Sequence, residues 1–281
     1  MPHTPSARKQ RIGIELRKMR DAAGMTTAEA AAVLGLNRSK ITLIEQGLYA
    51  ITPERVLALA SEYEEGDSEY VDALAAMAGD KSEGWWEAHR GLVSNGLLDI
   101  SEIEHHAHGL STYQICHVPG LMQTEDTARE IFREVYPPLR PLNIEARVEN
   151  RMRRAQLLTR AEPMPYEAIV HEAALRMTFG GATVARAQLE QLLTLSELSN
   201  VTLRVVEFRA GGFKGAGQAV MYAKGPVDRL DTVQLDSIGS PAFLTDVNQL
   251  KNYQNVIAAM RDRALGPDDS RDLISRIVKT L

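Results

Sequence analysis

Residues 26–47 read TTAEAAAVLGLNRSKITLIEQG, two apolar-periodic segments held apart by only Gly35, Leu36 and Asn37. In the first segment Ala30, Ala31 and Leu34 fall on one side of a helix that Thr26 or Thr27 can cap. In the second, from Arg38 to about Gln46, Ile41 and Ile44 share a side, and Gly47 ends the helix. Three residues between two buried faces force the helices to cross at once, which is the spacing of a helix-turn-helix. With Ile41 and Ile44 turned inward, the second helix presents Arg38, Ser39, Lys40, Thr42 and Leu43 outward. A single helix fits the major groove of DNA, and these side chains have the matching chemistry. Arg38 can donate to guanine edges or phosphate, Ser39 and Thr42 can hydrogen-bond bases, and Leu43 can touch a thymine methyl. Thr27 is better placed for backbone phosphate than for reading sequence.

The flanking residues complete a small helical unit. Residues 8–22 align Ile12, Leu16 and Met19, with Ile14 as a second contact, and stop before Gly24. Pro53 opens a further helix with Val56, Leu57 and Ala60 on its apolar side, and another helix is expected over about 68–78. Charge divides the chain in the same place. Residues 1–60 carry nine Lys or Arg against five Asp or Glu, and residues 61–80 carry seven acids and no base. The overall charge of −5 therefore hides a basic N-terminal unit, to which Arg8, Arg11, Arg17, Lys18 and Arg20 contribute. The expected domains are 1–80, all-α, and 81–281.

The stretch MTTAEAAAVLGLNRSKITLIEQG resembles the helix-turn-helix of phage-repressor-like, or XRE-type, transcriptional regulators. The resemblance implies that Arg38, Ser39, Thr42 and Leu43 face the bases and that Thr27 and Gln46 serve the phosphate backbone. Glu45 and Gly47 match the characteristic end of the recognition helix. Ala30 stands where a larger aliphatic residue is usual, which implies a tighter or slightly shifted helix pair.

After residue 80 the pattern changes to α+β. TYQICHV, YEAIVHEAAL, VTLRVVEF, QAVMYAK and DTVQLD read as short strands, and helices are expected over about 143–160, 183–199, 246–264 and 268–281. A mixed or antiparallel sheet covered by helices follows. Thr124 can cap a helix whose first turn is acidic. Cys116, the only cysteine, lies in the first strand and reads as a packed small hydrophobe. His105, His106, His108 and His117 cluster without a thiolate pair or a carboxylate-histidine motif, so no metal is expected. The loop AGGFKGAGQ has four glycines but no phosphate-loop ending, and no cofactor is expected. Trp85 and Trp86 are adjacent and cannot share a helix face. One is expected in a core, leaving the other for the DNA-binding domain or a partner. The helix over 143–160 carries five arginines against two glutamates, and Arg147, Arg151 and Arg154 at helical spacing are candidates for an acidic partner surface.

From about Trp85 to Ile274 the chain resembles the C-terminal domain attached to XRE-type regulators of actinobacteria, especially streptomycetes. VPGLMQTEDTARE, RVENRMRRAQLL, IVHEAALRMTFGG, QLEQLLTLSELSNVTLRVVEFRAGG and RDRALGPDDSRDLI carry the likeness. Residues Gln234–Asp236 depart from the usual tyrosine and glutamate ending, so no ligand role is transferred there. The resemblance implies control of development or antibiotic production, often beside a small partner protein.

The expected function is therefore sequence-specific binding of double-stranded DNA by a transcriptional regulator, as a homodimer on an inverted repeat. The larger domain would serve dimerisation, a small-molecule effector or a small protein partner. The competing reading is an antitoxin-like protein that restrains a partner and uses DNA binding for autoregulation. No nucleophile-base spacing points to an enzyme. The first ten residues, MPHTPSARKQ, lack an apolar signal region, and no run of about 18 apolar residues suits a membrane. A cytoplasmic protein, nucleoid-associated when bound to DNA, is expected.

Overall fold

The computed structural model describes residues 4–80, 82, 84–237 and 240–281. These form two compact units, Met1–Glu87 with Pro226–Leu230, and Ala88–Gly225 with Asp231–Leu281. The boundary expected at residue 81 falls on Lys81, outside the described residues.

The first unit holds five helices, α1 (Ala7–Ala22), α2 (Thr27–Val33), α3 (Arg38–Glu45), α4 (Pro53–Glu62) and α5 (Ser68–Gly79). Ile12, Leu16 and Met19 of α1 meet Ala30 and Ala31 of α2 and Ile41 and Ile44 of α3 in one core, closed by Leu59, Tyr70 and Leu74. Leu57 is 43% exposed and Leu59 takes the buried place on α4, because Val56, Leu59 and Ala60 are the residues that share one side of that helix. The crossing of α1 over α3 depends on Gly13. A Cβ there would stand 2.5 Å from the carbonyl oxygens of Ile44 and Glu45. The short segment Pro226–Leu230 belongs to this unit, with Leu230 in its core, which no local pattern indicated.

Arg229 anchors that segment. Its guanidinium donates to Glu65 and to Asp67 at 3.0–3.2 Å and lies 3.6 Å from the ring centroid of Tyr70. The Tyr70 hydroxyl in turn donates to Glu15 at 2.8 Å, and Glu15 pairs with Arg11 at 2.7 Å. Burial, then the charge of Glu15, raises the Tyr70 phenol above its ordinary value.

The second unit carries a six-stranded mixed sheet in the order β3-β2-β1-β4-β5-β6. Its strands are β1 (Gly109–Gln114), β2 (Tyr166–His171), β3 (Val201–Val206), β4 (Val220–Lys224), β5 (Thr232–Leu235) and β6 (Ala242–Leu244). The first three are parallel, with Tyr113 opposite Ile169, and the others add antiparallel, with Val220 opposite both Tyr113 and Leu235. Parallel strands need crossovers, supplied by helices α7 (Glu125–Arg133) and α8 (Pro141–Ala155), then by α9 (Glu172–Arg176) and α10 (Gly181–Leu195). Helix α6 (Asn95–His106) precedes the sheet, and α11 (Val247–Arg263) and α12 (Pro267–Val278) follow it.

Both faces of the sheet are covered, which the apolar runs over 168–170 of β2 and 220–223 of β4 reflect, while β1 keeps Ser111 and Thr112. Ala168, Val170, Leu203 and Val205 pack on Leu189 and Leu192 of α10 and Ile274 and Ile277 of α12. Tyr113, Ile169, Tyr222 and Val233 pack on Leu250, Ile257 and Met260 of α11. Three strand expectations need correction. β1 ends at Gln114, ahead of a bend and the Pro119-capped turn Gly120–Met122, so Cys116 is exposed and outside the strand. β2 stops at His171 because that side chain accepts from the Ala173 N–H at 3.1 Å and starts α9, so EAAL is helical. β6, three residues after Pro241, was not anticipated.

Candidate nucleic-acid interface

Helices α2 and α3 are capped by their own short side chains. The Thr26 hydroxyl accepts from the Glu29 N–H, and the Glu29 carboxylate accepts from the Thr26 N–H at 2.7 Å, a reciprocal capping box. These bonds, the backbone one first, hold the Glu29 carboxyl below its usual range. Thr26 is therefore the cap and Thr27 the first helical residue. The T-x-x-E spacing was visible in the sequence and would have settled that choice. Asn37 caps α3, accepting from the Lys40 N–H at 2.9 Å.

With 3.6 residues per turn, the buried pair Ile41 and Ile44 leaves Ser39, Thr42, Leu43 and Gln46 along the opposite side of α3, all exposed. Arg38 and Lys40 flank that side at its two edges. The Arg38 Nε donates to the Thr27 hydroxyl at 3.1 Å, which draws the guanidinium toward the start of α2. Lys40 is half-buried, with Nζ 5.6 Å from the centroid of the Tyr49 ring. The result is a small polar and aliphatic face between two cationic edges, each held by a neighbour. Tyr49 had no role in the sequence reading, since cation-π pairing is not visible in spacing.

The base of the interface is fixed by Arg20. Its Nε and Nη2 donate to the two oxygens of Glu45 at 2.6 and 3.0 Å, and Nη1 donates to the Met25 carbonyl at 2.8 Å. The bond to Glu45 outweighs burial and raises the Arg20 pKa. Burial, then the charge of Glu45, pushes the neighbouring Tyr63 phenol up to about 12. Arg11 and Arg20 are thus internal, and the positive charge expected from them is spent inside the unit. Lys18 pairs with Glu15 at 2.8 Å, and Arg8 with Asp80 at 3.6 Å. Arg17 stays exposed, 3.5 Å from Asp21.

The residues named for a partner surface separate. Trp86 is buried and Trp85 half-buried, with the rings edge to face at 5.8 Å. Arg154 is not a surface residue. It is buried and donates to both oxygens of Glu104 at 2.6 and 2.7 Å, so it cannot meet a partner. Arg147 and Arg151 lie half-buried on the same helix. Among the described residues no group of three or more His, Cys, Asp or Glu is placed to hold a metal ion.

Residues 11–72 match the family described as a helix-turn-helix domain, which points to a DNA-binding regulator. Residues 97–276 match the domain of unknown function DUF5753, and because that match spans more than half of the chain, the protein belongs to the DUF5753 family. No curated protein and no solved structure gives a significant match. No helix among the described residues is long and apolar enough to cross a membrane.

Proposed function

We propose that this protein is a sequence-specific transcriptional regulator of the XRE type, of the kind carried by actinobacteria, which binds an inverted repeat as a homodimer. The observation that carries the reading is α3, whose exposed Ser39, Thr42, Leu43 and Gln46 run between the cationic edges Arg38 and Lys40. Ser39, Thr42 and Leu43 read base edges in the major groove. Arg38, which the resemblance sets against the bases but which its bond to Thr27 draws aside, and Lys40 grip phosphates on the two sides of that groove, and Thr27 and Gln46 support the grip. Two such helices, roughly 34–36 Å apart, enter successive grooves of one operator. The α+β unit serves dimerisation and effector binding and catalyses no reaction. The protein works in the cytoplasm on the nucleoid, in control of development or secondary metabolism.

Selection of genomic DNA fragments by the purified protein tests this, with Arg38→Ala and Thr42→Ala in parallel at several salt concentrations. An enriched inverted repeat is expected. Thr42→Ala should relax sequence preference by about 1 kcal/mol at one position of each half-site. Arg38→Ala should weaken all sites together and reduce the salt dependence by about one phosphate contact per subunit. Absence of any enriched site, or two variants indistinguishable from the parent, would sink the reading.

A further inference from the structure

Arg147 and Arg151 stand one turn apart on α8, and both guanidinium groups lie over the ring of Phe132 on α7, 5.9 and 4.9 Å from its centroid. The Nε of each is buried without a hydrogen-bond partner. Among the described residues neither has an ion-pair partner, and the one bond either makes runs from Arg151 Nη1 to the Gln123 side-chain oxygen at 2.5 Å. Other buried arginines of this chain are treated differently. Arg20 and Arg154 each donate two bonds to a carboxylate, and Arg11, whose Nε also lacks a hydrogen bond, still pairs with the Glu15 carboxylate at 2.7 Å.

The surroundings hold the two cations in place without neutralising them. Gly120 allows the close approach, since a Cβ there would lie 3.0 Å from Arg151 Nη1. Gln123 is fixed in turn by its own donation to the Val118 carbonyl at 2.7 Å. The His117 ring stacks on Phe179 at 5.2 Å, and burial, then the charge of Arg151, lowers its pKa. Burial, then the neighbouring Arg154, pulls Arg151 down to about 9. Two acids reach Arg151 with their fields, Glu104, which is already paired with Arg154, and then the exposed Asp236, which also reaches His117, and neither forms an ion pair with Arg151. A guanidinium has fork-shaped donor edges that match an oxyanion, and two of them, desolvated and uncompensated, attract one strongly.

We propose that Arg147 and Arg151 bind a small oxyanion, the phosphate or carboxylate group of a low-molecular-weight ligand. Their recessed position favours a small group over the flat acidic surface of a protein. The inference concerns the α+β unit and does not rest on the DNA-binding reading.

The test is thermal unfolding of the full chain without DNA, titrated with inorganic phosphate and, separately, with malonate, chloride being exchanged to hold ionic strength constant. A saturable rise in Tm is expected with at least one of them, and the better anion identifies the ligand's acidic group. The double variant Arg147→Gln with Arg151→Gln should lose the rise, and Arg38→Ala, on the other unit, should keep it. Arg151→Lys retains charge but not the fork and should need at least tenfold more anion. No saturable rise with either anion, a rise that survives the double variant, or an unchanged midpoint in Arg151→Lys would overturn the proposal. A rise abolished by Arg38→Ala would place the anion on the helix-turn-helix and overturn it equally.

Discussion

Helices α3 and α8 carry their charges in opposite ways. On α3 the apolar residues face in and the cations Arg38 and Lys40 sit at the edges of an exposed side, steadied by Thr27 and Tyr49. On α8 three of the four arginines turn inward, Arg154 onto Glu104 and Arg147 and Arg151 onto Phe132, while Arg153 stays exposed. An exposed cation keeps most of its hydration and needs no partner until DNA arrives. A buried one must be compensated, and the strength of that requirement separates the two helices.

The largest expected effect therefore lies on α8. Glu104→Ala leaves Arg154 buried and unpaired, beside Arg151 whose charge opposes it. A loss of about 3–5 kcal/mol is expected, measured by urea denaturation followed by circular dichroism. A loss below about 1 kcal/mol would mean that the buried pair does little more than break even, and the contrast with α3 would collapse.

Glu45→Ala sharpens the comparison from the other side. Glu45 is an acid at the end of the recognition helix, so point-charge reasoning alone predicts that its removal strengthens DNA binding. The Arg20 bonds predict the reverse. Without Glu45 the nearly buried Arg20 guanidinium loses two charged bonds and the end of α3 loses its tie to α1. A stability loss of about 2–3 kcal/mol is expected, with weaker DNA binding. Tighter binding in a gel-shift titration would show that Glu45 acts as a repelling charge.

These contacts also mark where the sequence could be read and where it could not. The α2–α3 pair was legible because its signals are local: Ile41 and Ile44 at helical spacing, a threonine cap at 26 or 27, and glycine at position 47, where φ is 72°, whereas the cap at Asn37 appeared only in the structure. Arg20 and Arg38 looked alike as basic residues, and only the approach of α1 to α3 at Gly13 decides that one is internal. The same holds for Arg154 against Arg147 and Arg151, which share one helix and differ in what α6 brings opposite them. TYQICHV alternates well enough to pass for a strand, but ladder partners reach only to Gln114, leaving Cys116 in the open. The placement of Arg229, 162 residues after Asp67, is a tertiary event with no local signature.

Arg229 also provides the smallest and most graded test. Its bond to Glu65, the largest influence there, holds that carboxyl below its ordinary 4.5, and Asp67 is lowered too, by the Tyr70 N–H and then by Arg229. A carboxyl whose pKa is depressed by folding adds stability that is fully present above the unfolded value and lost as pH falls through the folded one. Arg229→Gln removes the charged bonds and the stacking on Tyr70 while keeping a polar side chain. Because the Arg229 side chain is 38% exposed, the expected loss near pH 7 is only about 1 kcal/mol. That loss should shrink as the medium is acidified below about pH 4.5, where protonation of Glu65 and Asp67 disarms the parent as well. Urea midpoints of parent and variant that converge in acid would place Arg229 among the compensated cations, with Arg20 and Arg154. A difference constant from neutral to acid pH would assign its contribution to packing on Tyr70, which does not titrate in that range.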